Sequence, residues 1–375
     1  MSAVANIEDR IRERFRAETD VHDARSTLER LLFDEAPLLT AEQSREALRR
    51  LHASVVGLGP LHELCADEAV TDVLVNGPGE VWVERDGVLE PSGVGITAEE
   101  IALVVERVLG PLGLRVDRAH PIADGRLADG SRISVVVPPL AVDGTMVSIR
   151  RFAARPVPLH AFAPAAVIDL LEELLHRRSN LVIFGGTGSG KTTLLNAMAG
   201  RLPRGERILT IEDAAELRLP GEHVVRLEAR PANAEGVGAV CIRELVRAAM
   251  RLRPDRIIVG EVRGPEALDM LWAMSSGHDG SLSTCHAASP VDVLLRLETF
   301  VLTAGVDLPL SAVRAQVRSA IDVLVGIGRG ADGTRAITTV AEVDPDPSTL
   351  TTRELATGGR VVASPSRSPR AVARS

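Results

Sequence analysis

Residues 185–192, GGTGSGKT, set glycines, one lysine and one threonine in the G-x-x-x-x-G-K-[ST] spacing that suits a phosphate chain. Gly186, Gly188 and Gly190 tolerate positive φ, so successive backbone N–H groups can turn inward as an anion-binding nest. A helix opening at Lys191 would add its positive dipole end. Lys191 offers a compact charge to the β- and γ-phosphates, and the Thr192 hydroxyl offers a ligand to Mg2+. Gly185, Thr187, Ser189 and Thr193 complete the expected nucleotide-binding stretch. Lys191 is also the only lysine among 43 lysines and arginines. A planar guanidinium does not replace an ammonium inside so tight a loop.

Three further clusters carry chemistry, and each is expected at the end of a strand, where open α/β sheets place their sites. Ile211-Glu212-Asp213 follows the apolar run ERILTI, with Glu216 close behind; carboxylates there can hold Mg2+ or its water shell. Asp213 as a mere helix N-cap is the plainer alternative. In RIIVGE the strand ends in Gly260-Glu261, where a phosphate-loop enzyme usually carries a magnesium-binding aspartate. Glu261 suits orientation or deprotonation of a water. Arg263 can pair with Glu261 or reach phosphate across a subunit boundary. The last cluster is Gly277-His278-Asp279-Gly280, then SLSTC, then His286. Its spacing matches no compact zinc site. Beside a phosphate loop a strand-end histidine can sense the γ-phosphate, and Cys285 reads as a buried apolar residue.

Positioning these residues requires a sheet. LVIF before the loop reads as a buried strand, and the run from Lys191 to Leu202 as a helix. Beyond it, strand-like and helix-like runs alternate, as in an α/β domain with a largely parallel sheet. Ile321–Ile327 and Thr334–Val343 read as a closing hairpin across Asp332-Gly333. The N-terminal half differs. Residues 1–56 read as a polar helical region, with Thr40 as an N-cap and Leu48, Leu51 and Val55 on one face. Residues 57–152 read as a smaller α/β domain: a hairpin over TDVLVN and EVWVERDG, a helix from Thr97 with a Thr97/Glu100 capping box, and strands at Arg132–Val137 and Met146–Phe152. The proline-bearing stretch 153–164 is the expected linker and 165–345 the loop-bearing domain. Residues 346–375 are expected to hold a hairpin end and a disordered basic tail.

Composition narrows the partners. Net charge −8, 2% aromatic residues and no tyrosine disfavour a nucleic-acid coating or base-stacking surface. Cys65, Cys241 and Cys285 are odd in number with no C-x-x-C, which suggests reduced thiols of the cytosol. No run approaches 18 apolar residues and the N-terminus is charged, so neither a signal peptide nor a membrane span is expected. Any membrane role would pass through a partner.

Taken together, the four clusters resemble the type II/IV secretion (traffic) ATPase family. GGTGSGKT resembles its Walker A, IEDAAEL its aspartate box, RPDRIIVGEVRGPEALDML its atypical Walker B and GHDGSLSTCHA its histidine box. VTDVLVNGPGEVWVERDG is similar to the CpaF-like branch that serves tight-adherence (Flp) pili. The resemblance implies a RecA-like ATPase domain behind a PAS-like N-terminal domain, ATP and Mg2+ as cofactors and a homo-hexamer. It further implies a polytopic inner-membrane platform protein as partner, no stable nucleic acid, and a place in the cytoplasm at the inner face of the cell membrane. Carried over by residue, Lys191 and Thr192 bind phosphate and Mg2+, Glu212 is the aspartate-box acid, Glu261 the catalytic glutamate, and His278 with His286 the histidine pair. Arg126, Arg132, Arg150 and Arg151 are the candidate arginine fingers. Ala288 stands where an asparagine often follows the histidine box. The expected function is a motor that turns ATP hydrolysis into domain motion. A nucleic-acid translocase and a low-turnover ATP-gated scaffold are the rival readings.

Overall fold

The computed structural model describes residues 24–370 apart from 56, 86, 128, 152–156, 233–235, 331–332 and 346–349, together with positions 7, 10, 11, 13–15 and 18. The chain divides into two compact units, Met1–Ala154 and Arg155–Ser375.

In the first unit, α1 (Ala24–Glu35) and α2 (Ala41–Val55) pack around Leu28, Leu31, Ala47 and Leu51. Thr40 caps α2: its Oγ1 accepts from the Gln43 amide at 3.2 Å and the Gln43 side chain returns a bond to Thr40 N–H at 3.0 Å. A short α3 (His62–Ala66) leads into β1 (Val70–Asn76), β2 (Gly79–Arg85) and β3 (Val88–Ile96). Then come α4 (Ala98–Leu109), β4 (Ile122–Arg126), β5 (Arg132–Val136) and β6 (Met146–Arg150). The six strands form one antiparallel sheet in the order β3-β2-β1-β6-β5-β4. Val73, Val81, Val83, Ile133 and Ile149 cover Ile101, Val104 and Val108 of α4. The expected Thr97/Glu100 capping box opens that helix. Sequence patterning overlooked β3 because Pro91, Gly93 and Gly95 read as turn residues. An edge strand tolerates them, having no second neighbour to pair with.

The second unit begins with α5 (Ala165–His176), β7 (Leu181–Gly185) and α6 (Lys191–Ala199). β8 (Ile208–Glu212), β9 (Val224–Glu228), α7 (Ile242–Ala249), β10 (Arg256–Val262), α8 (Glu266–Ser275) and β11 (Leu282–His286) follow. α9 (Pro290–Leu302), α10 (Leu310–Ala320), β12 (Val323–Arg329), β13 (Arg335–Val343), β14 (Thr352–Thr357) and β15 (Arg360–Val361) complete it. Nine strands form one sheet in the order β15-β14-β13-β12-β7-β11-β10-β8-β9. β12, β7, β11, β10, β8 and β9 are parallel, and β13 turns back on β12 as the expected hairpin. Alternation along β7 makes the two cores. Val182 and Phe184 join the layer beneath α7–α10, whereas Leu181 and Ile183 join that of α5 and α6. Every side chain of β7 is therefore buried, which fixes the height at which the glycine loop leaves the sheet.

The tail corrects an expectation. Residues 360–370 are held against the sheet rather than disordered. Ser366 Oγ donates to the buried Glu342 carboxylate at 2.6 Å, and Arg370 Nε donates to Asp322 Oδ2 at 2.7 Å, with Arg367 on the other Asp322 oxygen. A basic, Pro/Ser-rich composition suggests disorder. Two buried carboxylates reverse it: Asp322 takes the tail arginines, and Glu342, already paired with Arg353, takes the Ser366 hydroxyl and the tail amides. Residues 371–375 lie outside the described residues.

Candidate active site

Parallel strands bring their C-terminal ends to one edge of the sheet, and that edge collects the chemistry. The glycine loop leaves β7 at Gly185 and enters α6 at Lys191. Gly188 (φ +69°) and Gly190 (φ +97°) take the left-handed conformation that the nest requires. A Cβ added at Gly186 or Gly188 would meet nothing within 4 Å, so the loop is not crowded at these two positions. At Gly185 a Cβ would instead overlap the Ile327 carbonyl oxygen of β12 and stand 2.6 Å from Ser189 Oγ, so only glycine fits where the loop leaves the sheet. Lys191 is 8% exposed, and its Nζ donates to the carbonyls of Gly186 (2.9 Å) and Gly185 (3.2 Å). Burial pulls its pKa down, partly countered by the nearby Glu261 charge.

Glu261 sits where β10 breaks register with β11 between Val259 and Val262. Such a bulge re-aims a side chain at the end of a strand. Thr284 Oγ1 fastens it by donating to the Gly260 carbonyl at 2.7 Å. Gly260 is obligatory, because its Cβ would lie 2.8 Å from Glu212 Cγ. Arg263 Nε donates to Glu261 Oε2 at 2.8 Å, and the His286 ring meets Oε1 through Nδ1 at 3.1 Å. Partial burial opposes ionisation of Glu261, but these two partners outweigh it and hold the carboxyl below the usual glutamate range.

His286 joins the clusters. Its Nε2 lies 2.9 Å from Thr187 Oγ1 and its Nδ1 3.4 Å from Lys191 Nζ. One ring nitrogen cannot donate to Glu261 and accept from Lys191 at once. The shorter, charge-assisted contact assigns the proton to Nδ1, leaving Nε2 to accept from the Thr187 hydroxyl. Loop, glutamate and histidine thus form one connected group. Thr187 as partner of His286 was not foreseen, since nothing in a glycine loop's pattern marks which hydroxyl faces the next strand.

Two expectations change. His278 does not join this group: it precedes β11, whereas His286 ends it. Five strand residues span about 16 Å, so His278 lies at the opposite edge, its Nδ1 3.2 Å from the Ala273 carbonyl. Glu212, offered as a metal ligand, is 3% exposed. Its Oε1 accepts from the amides of Glu216 (2.9 Å) and Leu217 (3.0 Å), so in the structure it clasps the turn that follows β8. That turn contains no helix, which removes the N-cap reading of Asp213. Cys285 is fully buried, as expected, and burial pushes its thiol up to about 12. Ala288 gives its backbone N–H to Asp292 at 2.9 Å.

Burial pushes the Glu212 carboxyl up to about 7, against the pull of the two amides. An unfolded glutamate titrates near 4.3. Between those values the native chain binds the extra proton, so stability falls as pH rises through the window. Glu212→Gln keeps an acceptor for the amides and cannot ionise. It is expected to gain on the order of 2 kcal/mol relative to the native chain between pH 5 and pH 8. Urea midpoints at both pH values read this, and parallel slopes for the two proteins would contradict it.

As a magnesium site the edge passes a simple test. Among the described residues no group of three or more His, Cys, Asp or Glu could cage a metal. Mg2+ bound with nucleotide needs no cage, because it keeps waters and takes phosphate oxygens with one or two protein ligands. Thr192, in the first turn of α6, supplies a hydroxyl of the right kind.

In the first unit, three of the arginines form a row. Arg126 lies opposite Arg132, and Arg132 opposite Arg150, across β4, β5 and β6, with Asp72 of β1 next in line. Arg151 is used differently: its guanidinium donates to the carbonyls of Val70 (3.0 Å) and Asp67.

The sequence profile described as "Type II/IV secretion system protein" matches residues 55–327. The chain belongs to this family. It is 39% identical over 306 residues to a Mycobacterium tuberculosis protein provisionally named as a conjugal transfer protein, covering 78% of this chain and 86% of that one. The type IV secretion system protein PtlH of Bordetella pertussis is 35% identical over 306 residues, covering 73% and 90%. The Legionella pneumophila ATPase DotB shares the fold, with a TM-score of 0.53 at 19% identity over 76% of this chain and 79% of that one. The family match makes the chain a type II/IV secretion system protein. No helix among the described residues is long and apolar enough to cross a membrane.

Proposed function

We propose that this chain is an ATP-hydrolysing motor with a RecA-like loop-bearing unit, that it is CpaF-like, and that it drives a tight-adherence (Flp) pilus machine. In this reading it works as a homo-hexamer at the cytoplasmic face of the membrane against a polytopic platform protein. The branch rests on residues 70–87, whose strand–turn–strand run resembles that subfamily. A helical region over 1–56, a PAS-like domain over 57–152, a linker over 153–164 and an ATPase domain over 165–345 are the proposed divisions. Part of that linker lies outside the described residues.

One observation supports the catalytic assignment: His286 donates to Glu261 through Nδ1 and accepts from Thr187 of the loop through Nε2. Glu261 orients the attacking water and takes its proton, which its depressed pKa allows at neutral pH. Lys191 and the loop amides offset charge on the β- and γ-phosphates. Thr192 would hold Mg2+, which when bound neutralises charge between those phosphates. His286 reports the state of the loop to Glu261, and Arg263 keeps that carboxylate ionised.

The arginine row supplies the fingers. Arg132 is its centre. Arg132→Ala is expected to lower kcat about tenfold, the worth of one charge-assisted hydrogen bond, with the nucleotide Kd little changed. Arg151→Ala should act on thermal stability instead. Phosphate release by the assembled oligomer, beside melting curves, separates the two, and an undiminished kcat for Arg132→Ala removes the row from the mechanism.

A further inference from the structure

The loop strand β7 has a neighbour on each side, and only one of them carries the catalytic group. β11 brings His286, with Glu261 one strand beyond, while β12 lies on the other side. β12 runs beside β7, with Gly326 opposite Phe184, and continues to Arg329. The chain then returns as β13 starting at Arg335, directly opposite Arg329 in register.

The Arg335 side chain lies across the last glycine of the loop. A Cβ on Gly190 would stand 2.6 Å from Arg335 Cδ and 3.1 Å from its Nε. Arg335 Nη1 donates to Thr193 Oγ1 at 3.4 Å, at the first turn of α6. Lys191 Nζ is held instead by the carbonyls of Gly185 and Gly186. Two cations therefore bracket the loop, one toward the Glu261 side and one toward β12–β13. A nucleotide whose terminal phosphate faces Glu261 has room to run its other end toward the side of the loop where Arg335 lies.

We propose that Arg335 is a nucleotide-binding residue whose guanidinium engages the α-phosphate of a nucleoside di- or triphosphate. The β12–β13 hairpin then forms the nucleoside-side wall of the site. The proposal rests on residues 185–192 being the phosphate loop. A guanidinium fork matches two phosphate oxygens at once. The Thr193 contact places the fork at the loop edge, and such preorganisation lowers the cost of binding. Arg329, set opposite Arg335 at the strand ends, adds a second positive charge to the same wall.

Equilibrium binding of ATP and of ADP to the full chain tests this with Arg335→Ala, Arg335→Lys and, as a control on the loop, Lys191→Ala. Arg335→Ala is expected to raise both dissociation constants by the same factor, about tenfold. The steady-state loss should fall on KM rather than kcat, and Arg335→Lys should recover part of the affinity by restoring charge without the fork. Unchanged affinity for both nucleotides, in a protein whose Lys191→Ala variant has lost them, overturns the role of Arg335 while sparing the loop. A loss confined to ATP overturns it as well, by moving the contact to the γ-phosphate. Retained affinity in Lys191→Ala refutes the loop itself. Arg335→Lys keeps the measurement decisive if Arg335→Ala melts below the working temperature.

Discussion

Glu261→Gln is expected to retain nucleotide and lose about three orders of magnitude in turnover, within the range that a positioned general base contributes. Glutamine has the same size and keeps an oxygen that can accept from Arg263, whose Nε lies 2.8 Å from the native carboxylate. What it cannot do is accept the proton of the attacking water. The carboxylate is well prepared for that task. Partial burial alone would raise its pKa, but the bonds from Arg263 and His286 hold it down, so it stays charged through neutral pH. Loss of activity on acidification should therefore begin below the ordinary glutamate value. Phosphate release at saturating ATP, paired with equilibrium binding of a non-hydrolysable analogue, measures both halves of the expectation. Turnover within tenfold of the native chain would remove Glu261 from the chemistry.

How much of this was legible in the sequence depends on whether a residue's role is local. The glycine loop is local: the helix start at Lys191 and the positive φ of Gly188 and Gly190 follow from eight consecutive residues, although Gly186 stays out of the left-handed region. Glu261 was legible as an acid ending an apolar strand. The bulge that turns it toward His286 was not, because that break in register depends on Thr284 of the neighbouring strand. The same gap explains His278. A sequence shows two histidines flanking a short strand, but only the parallel pairing of β11 with β7 decides which of them shares the loop's edge. Glu212 was recognisable as a strand-end acid, yet the direction of its carboxylate is set by the amides of residues 216 and 217. Gly260 was noted as a departure from the usual aspartate, and its cause, the Glu212 side chain packed against it, is again non-local. The tail fails for a further reason. Its arginines are ordered by Asp322, 45 or more positions earlier, and composition carries no such pairing.

Lys191→Ala is expected to weaken ATP and ADP binding by about a thousandfold, since hydrogen bonds from a charged donor contribute about 1.5–3 kcal/mol each and this ammonium serves two phosphates. Lys191→Arg should fare little better. At 8% exposure the ammonium already lies against two loop carbonyls, and a guanidinium needs a larger, planar space. The fold should not suffer. Burial lowers the pKa of Lys191, so the native chain carries this charge at a cost that Glu261 only partly offsets. Removing it relieves that cost but also removes the two bonds to the loop carbonyls, so thermal unfolding of Lys191→Ala without nucleotide should stay close to the native temperature. The two outcomes belong together. A residue that stabilised the fold would lose melting temperature and affinity in step; a cation held partly out of water for a phosphate loses affinity alone. Calorimetric titration and melting curves on the same preparation distinguish these cases. If Lys191→Ala keeps its nucleotide affinity, the loop is not a phosphate seat, and the assignments of Glu261, His286 and Arg335 fall with it.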